Sequence, residues 1–226
     1  MISILIPLYN GIEFLEQSLT SVISQTYKNW EVIIGINGHE PNSEIEKTTI
    51  AIVNKNNLGN IYKIRVVYYD TKGKPMTLNK MVLDCSYDYI AILDVDDIWL
   101  PEKLEYQIPY IDKYDVVGTH CKYFGDLSHC PTIPFGDLSN FNFLNYNPII
   151  NSSAVIKKEL ANWDDEFFGL DDYSLWLKLA ADNKKFFNID KILCYHRIHN
   201  KSSFNVTNNS KVEELKNKWL IFYNEK

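Results

Sequence analysis

Basic residues are outnumbered in this chain: 23 Lys and Arg stand against 29 Asp and Glu, a formal net charge of −6. A protein that grips a phosphate backbone needs a cationic face, so nucleic acid is excluded as the expected partner. Long apolar runs are also lacking. None approaches the roughly 20 residues that cross a bilayer, and the opening MISILIPLYN is too short, and too early interrupted by Pro7, for a signal peptide. The expectation is a cytoplasmic protein without a transmembrane segment. Cysteine is scarce: Cys85, Cys121, Cys130 and Cys194 are widely separated and form no C-x-x-C pair, so they read as reduced thiols. In that compartment the sequons at Asn151, Asn200, Asn205 and Asn208 carry no meaning. No repeat, low-complexity tract or linker divides the chain, and residues 1–226 read as a single domain.

What is present is an ordinary globular composition, 46% hydrophobic and 23% charged, with a core to bury. ISILIPLY (residues 2–9) is a short apolar run closed by Asn10 and Gly11, which suits a buried strand. Ile12, Leu15, Leu19, Val22 and Ile23 then recur at helical spacing. WEVIIGIN reads as the second strand; Ser43 with Glu46 resembles a capping box for a helix carrying Ile45, Thr49, Ile52 and Val53. IRVVYY is the third strand, a helix is expected around Thr77 to Asp84, and YIAIL is the fourth strand. Strands alternating with helices and apolar on both faces imply an α/β fold with a mostly parallel sheet sandwiched by helices. Residues 1–115 form this sheet-based half. Residues 116–226 read as an irregular half of short strands and turns, with one clear helix in DDYSLWLKLAAD.

In such sheets ligands bind beyond the carboxyl ends of the strands. That rule lines up Tyr9 and Asn10, Asn37, Asp70, and the aspartates of LDVDDIWLPEKL (Asp94, Asp96, Asp97) along one rim. A turn directly after a strand can bring Asp94 and Asp96 together, and such hard oxygen ligands suit Mg2+ or Mn2+ bridging a diphosphate. The alternative is that Asp97 caps the helix starting near Pro101 and its neighbours are solvated loop charges.

SILIPLYNGIEFLEQSLTSVISQTYKNWEVII followed by LDVDDIWLPEKL resembles the large inverting glycosyltransferase family of GT-A (Rossmann-like) fold, often called family 2. The resemblance continues through NPIINSSAVIKKEL, FFGLDDYSLWLKLA and LCYHRIHNKSS, in the family's order and over nearly the whole chain. It implies metal-dependent transfer of a sugar, with inversion, from a nucleoside diphosphate sugar to an acceptor hydroxyl. It places Pro7, Tyr9 and Asn10 in the nucleotide-sugar pocket, with Tyr9 against the base; a tyrosine ending a buried strand is also an ordinary core residue. Asn37 stands where the family usually has an aspartate. An amide both donates and accepts, so UDP-sugar is favoured while GDP-, CDP- and dTDP-sugars are admitted; Asn37 is equally a turn residue before Gly38.

The resemblance puts Asn79 near the ribose and diphosphate. Thr77 and Leu78 replace the family's preceding Ala-Arg, so Lys72, Lys74 or Lys80 is left to supply positive charge. Asp94 would contact the ribose or the metal, Asp96 would bind the metal, and Asp97 reads as structural. Asp171 and Asp172 match the family's Glu-Asp at a helix start, with Asp172 as base and Asp171 as its orienting neighbour or alternative. Two carboxylates there would also complement the helix dipole. Arg197 would balance phosphate charge, and His199 would be a third metal ligand or a diphosphate contact; a lone histidine beside a strand is also an ordinary surface residue. His196 is the weaker candidate.

A sugar-1-phosphate nucleotidyltransferase needs a Gly-rich, cationic loop after the first strand, and PLYNGIEF has one glycine and no base. A non-catalytic nucleotide-sugar-binding module stays open because of Asn37. The acceptor is expected to be a glycan, a glycolipid or a protein-linked acceptor, reached in the cytosol or at the cytosolic membrane face. Phe141, Phe143, Tyr146, Trp163 and Tyr173 offer rings that stack on sugars or fill the core. The stripe Val212, Leu215, Trp219 and Phe222 on the last helix most simply packs on the body, with a homodimer or membrane contact as the alternative.

Overall fold

The computed structural model describes residues 1–57, 61–167, 169–200 and 209–224, with backbone only for 209 and 221–224. The sequons at Asn205 and Asn208 and the side chain of Phe222 lie outside the described residues.

The expected alternation is present as β1 (Ile2–Leu8), α1 (Ile12–Ile23), β2 (Trp30–Asn37), α2 (Glu44–Asn56), β3 (Ile64–Tyr69), α3 (Lys74–Leu83) and β4 (Tyr89–Ile92). Period-two side-chain alternation assigns β1 to two cores. Ile2, Ile4, Ile6 and Leu8 pack with Leu15, Leu19 and Val22 of α1, whereas Leu5 faces Leu78, Met81 and Val82 of α3. Both strand faces are therefore buried, which is why β1 reads as a continuous apolar run. Gly35 of β2 is required by close approach: a Cβ there would lie 2.5 Å from Met81 Sδ.

β5 (Ile98–Trp99), α4 (Lys103–Gln107), β6 (Val116–Gly125), β7 (Gly136–Asp137), β8 (Val155–Lys157), α5 (Asp171–Ala181), β9 (Phe186–Ile198) and α6 (Asn209–Asn224) follow. Among the described residues the sheet runs β3-β2-β1-β4-β8-β6-β9-β5, with β7 also on β9. β3, β2, β1 and β4 are mutually parallel, and β8 pairs antiparallel with β4 and β6. After β3 the chain returns to the opposite side of β1 to form β4, so strand order reverses between β1 and β4. A crevice opens at the carboxyl ends of those strands.

Three expectations change. The second half has short strands in β7 and β8 but also two long ones: β6 and β9 span 10 and 13 residues and pair in parallel. α3 starts at Lys74 rather than Thr77, because Pro75 sits in the first turn, where its missing N–H costs nothing. The capping box at α2 does not form: Ser43 Oγ is buried without a partner, and Glu46 accepts from the Asn42 N–H at 2.6 Å instead of from that of Ser43. The four thiols are unpaired, with Cys130 alone exposed. Leu215 is fully buried and Val212 and Trp219 pack beside it, so α6 lies on the body. Among the described residues no helix is long and apolar enough to cross a membrane.

Candidate active site

The rim begins where β1 and β2 end. Tyr9 emerges half exposed, its ring 5.4 Å from that of His39, whose Nε2 lies 2.5 Å from the Tyr9 carbonyl oxygen. Gly38 turns the chain beneath this pair with φ of +70°, and a Cβ there would strike the Tyr9 ring at 2.7 Å. Asn37, 1% exposed, leaves its Oδ1 without a hydrogen-bond donor. A buried carbonyl oxygen without a partner costs free energy unless a ligand supplies the N–H or O–H.

Next along the rim is the aspartate turn after β4, closed by the Asp97 N–H donating to the Asp94 carbonyl (3.0 Å). Its three carboxylates have separate surroundings. Asp97 is fully buried and receives His196 Nδ1 (2.9 Å) and the Arg197 N–H (2.8 Å). Burial opposes protonation of His196, but the Asp97 carboxylate outweighs it and raises the imidazole to about 9. Asp97 is therefore a strut between β9 and the turn, as expected, and it caps no helix.

Asp94 points to the opposite side. Lys74 Nζ reaches it at 2.6 Å, Asn151 Nδ2 donates to it at 3.0 Å, and its own N–H donates to Ser152 Oγ at 3.0 Å. Burial pushes the Asp94 carboxyl up, but Lys74 and Asn151 hold it below the usual range. Asp96 takes His199 Nε2 at 2.9 Å. Burial, then the charges of Asp97 and Asp94, push its carboxyl up.

The turn at 151–153 braces Asp94 from below. Trp99 Nε1 donates to the Ser152 carbonyl at 2.6 Å, and Gln107 Nε2 to the Ser153 carbonyl at 2.8 Å. Behind Gln107 lies Lys103, fully buried, 2.8 Å from Gln107 Oε1 and 4.0 Å above the Trp99 ring; burial draws its ammonium down to about 7.

Across the crevice, α5 opens with Asp171 and Asp172. Asp171 is 7% exposed and its Oδ2 has no hydrogen-bond donor; Asp172 accepts from Asn147 Nδ2 at 3.1 Å. Burial and the adjacent Asp171 raise the Asp172 carboxyl to about 6, against the pull of Lys74. Burial alone would depress Lys74, yet Asp94, Asp171 and Asp172 together raise it well above its ordinary value. Lys74 thus joins the aspartate turn to the head of α5.

Several expected residues stand elsewhere. Asn79 spends its amide on the backbone of Trp163, donating to its carbonyl and accepting from its N–H, both at 2.8 Å, so it ties α3 to that segment. Pro7 is buried inside β1, in register with Gly35. Asn10 is exposed on the rim. Arg197 is sandwiched between the rings of Phe14 (4.4 Å) and Phe124 (4.3 Å), with Nε on the Asp96 carbonyl (2.8 Å) and Nη2 on Gln17 (2.6 Å). Of the three lysines, Lys74 is the one at the site; Lys80 reaches only the Asp70 carbonyl at 3.3 Å. Phe143, Trp163 and Tyr173 are core residues, and Tyr146 is exposed. Asn151, read from the sequence only as a sequon, and Ser152 were not expected at the site, although they lie in NPIINSSAV.

Among the described residues no group of three or more His, Cys, Asp or Glu side chains converges as a metal site. The residues that fit a divalent ion are Asp96 and His199. A carboxylate with an imidazole suits Mn2+ better than Mg2+, and two protein donors leave the remaining positions to phosphate oxygens and water. The raised carboxyl of Asp96 marks a place short of a cation. Asp94, expected as a ligand, has instead turned to Lys74 and Asn151.

A sheet that reverses strand order at an aspartate turn, facing a carboxylate pair at the head of a helix, defines the GT-A class of glycosyltransferases. Residues 3–161 match the family model described as Glycosyl transferase family 2, and the chain belongs to that family. The UDP-Glc:alpha-D-GlcNAc-diphosphoundecaprenol beta-1,3-glucosyltransferase WfgD of Escherichia coli is 27% identical over 233 residues, covering 98% of this chain and 85% of WfgD. The crystal structure of S. aureus TarS 1-349 in complex with UDP-GlcNAc matches with a TM-score of 0.76 at 16% identity, over 98% of this chain and 66% of that one. The mannosyltransferase PcManGT from Pyrobaculum calidifontis, in complex with GDP-Man and Mn2+, matches with a TM-score of 0.67 at 15% identity, over 91% and 59%. At these identities the two solved structures show the shared fold.

Proposed function

We propose that this family 2 glycosyltransferase moves a sugar from a nucleoside diphosphate sugar, UDP-linked by preference, to an acceptor hydroxyl with inversion, using a divalent metal. The observation that carries this reading is the state of Asp172: a carboxylate pushed up to about 6 by burial and Asp171, placed across the crevice from the aspartate turn. A general base works best when its pKa lies near the operating pH, and at pH 7 this group is mostly ionised.

Tyr9 presents its ring to the base, and Asn37 Oδ1 accepts the N–H that uracil carries between its two carbonyls. WfgD is named for UDP-Glc and TarS was solved with UDP-GlcNAc, which supports a UDP-linked donor, whereas PcManGT was solved with GDP-Man. Asp96 and His199 would hold a divalent ion, and Arg197, through the Asp96 carbonyl, positions that carboxylate. A divalent metal there supplies charge neutralisation for the departing diphosphate. Asp94 fixes Lys74, whose cation lies between the donor side and the base. Asp172 takes the acceptor proton as the hydroxyl attacks from the face opposite the diphosphate, and Asp171 keeps it aligned. Asn79 braces Trp163 and contacts no donor.

The acceptor is a saccharide hydroxyl, and the reaction takes place in the cytoplasm or at its membrane face. Asp172→Asn tests the assignment. Transfer should be lost while UDP still binds with Mn2+; undiminished transfer would remove Asp172 from the reaction, and unchanged donor binding without any transfer in the parent chain would favour a binding module.

A further inference from the structure

Lys103 is the only lysine among the described residues that is fully buried, and nothing in the proposed reaction uses it. No carboxylate acts on its ammonium, and the titratable group that faces it, from β9, is the Cys194 sulfhydryl, kept neutral by burial. A buried cation without a counter-charge costs stability, and a methionine or leucine at this place in α4 would cost less. We infer that Lys103 is a positioning residue for transfer: from the core it fixes, through Gln107 and Trp99, the turn at 151–153 that holds Asp94. This deepens the proposed function, since it rests on the reading of Asp94 as the group that fixes Lys74 beside the base.

Two arms lead from the ammonium to the turn. One runs along α4, where Lys103 and Gln107 stand at i and i+4 on one face, and Lys103 Nζ donates to Gln107 Oε1 at 2.8 Å. An ammonium only donates, so it holds the amide oxygen toward itself and leaves the amide nitrogen to face away. Gln107 Nε2 then donates to two carbonyls at once, that of Val117 in β6 at 2.6 Å and that of Ser153 at 2.8 Å. The other arm is Trp99. The ammonium sits 4.0 Å above its ring, and its Nε1 donates to the Ser152 carbonyl at 2.6 Å. The Trp99 backbone N–H donates to Ser21 Oγ of α1 at 3.1 Å, which anchors this arm on the sheet-based half.

Both arms end on consecutive carbonyls of one turn, and the side chains of that turn reach Asp94. Asn151 Nδ2 donates to its carboxylate and Ser152 Oγ accepts its N–H, each at 3.0 Å. An apolar side chain at position 103 would fill the space but leave Gln107 Oε1 buried without a donor, so the amide would no longer have one preferred orientation. The turn would then loosen on the side away from Asp94, with the fold intact. A misplacement of about 1 Å at a reacting centre costs about a hundredfold in rate, which is how a lysine remote from the chemistry bears on it.

The test follows side-chain amide signals of the full 15N-labelled chain, assigned with Asn151→Ala and Asn79→Ala. Lys103→Met removes the ammonium, and Trp99→Phe keeps a ring beneath it while removing only the Nε1 donation. Both variants should move the Asn151 signals and leave those of Asn79, whose partner is the Trp163 backbone, in place. Lys103→Met should melt no lower than the parent at pH 7, and in transfer it should lower kcat about tenfold while the donor KM stays within about threefold. Unmoved Asn151 signals in either variant, Asn79 signals that move with them, an unfolded or lower-melting Lys103→Met, or a loss of activity confined to KM would each overturn the proposal. UDP with Mn2+ on the same samples tests the reading beneath it. Failure of UDP to bind the parent defeats the donor assignment, whereas the amide signals report the link from Lys103 to the turn in either case.

Discussion

Two acidic regions flank the carboxyl edge of the sheet, and they are satisfied to different degrees. Asp97 is completely buried, but it has a charged imidazole of its own in His196 and a backbone N–H from Arg197. Asp171 and Asp172 lie side by side and share one cation, Lys74, with Asp94, while Asp171 Oδ2 has no donor. The first arrangement is what a buried charge needs to remain stably ionised. The second leaves negative charge short of partners, which raises Asp172 toward neutrality and prepares it to take a proton. Burial alone does not separate strut from reagent; the supply of donors and cations does.

The largest effect that would break this contrast is at Asp172. Asp172→Asn should lower transfer by about a hundred- to ten-thousandfold, the usual range for loss of a general base. The same variant should be more stable than the parent at pH 7, by about 1–2 kcal/mol, because a carboxyl whose folded pKa is raised loses stability as pH climbs from its unfolded value near 4 through about 6. Thermal melts at pH 7 check this, and a destabilised Asn variant would contradict it. Asp97→Ala should do the reverse and unfold the chain more readily, by about 3–5 kcal/mol, since it strands the charged His196. Denaturant titration reads that loss, and a near-neutral result would remove the strut.

Smaller effects sharpen the comparison. Asn79→Ala should cost about 1–3 kcal/mol of stability through two lost hydrogen bonds to Trp163. Calorimetry should then find UDP affinity unchanged; a specific loss of UDP binding in a well-folded variant would return Asn79 to the donor site. The smallest effect is a displacement of pH dependence. As the proposed base, Asp172 would act in its ionised form, so kcat/KM should fall as pH drops through about 6. Lys74 lowers the Asp172 pKa, so Lys74→Met should move that acid limb to higher pH, and a limb that stays put would show that Lys74 does not act on the base.

Much of the rim was legible because strand ends follow from apolar runs. Tyr9, Asn37 and Asp94 fall at or just past the ends of β1, β2 and β4, as the pattern requires. The structural role of Asp97 was also readable. Lys74 was harder to distinguish from Lys72 and Lys80, since inward orientation depends on where α3 begins, and Pro75 moved that start three residues earlier. Arg197 and Asn79 have the residue types a diphosphate would attract, but their partners, Phe14, Phe124, Gln17 and the Trp163 backbone, are remote in sequence. β6 and β9 escaped notice because polar residues such as Thr119, His120, His196 and Arg197 interrupt any apolar run, and a bulge at Thr119–Cys121 breaks their register.

The most direct test of the central claim is a calorimetric titration of UDP with Mn2+ into the parent chain, Asp96→Ala and Asp172→Asn. The account predicts that the parent and Asp172→Asn bind alike and that Asp96→Ala loses metal-dependent binding. Binding that ignores Asp96, or that vanishes in a folded Asp172→Asn, would contradict the division of this edge into a donor side and a base.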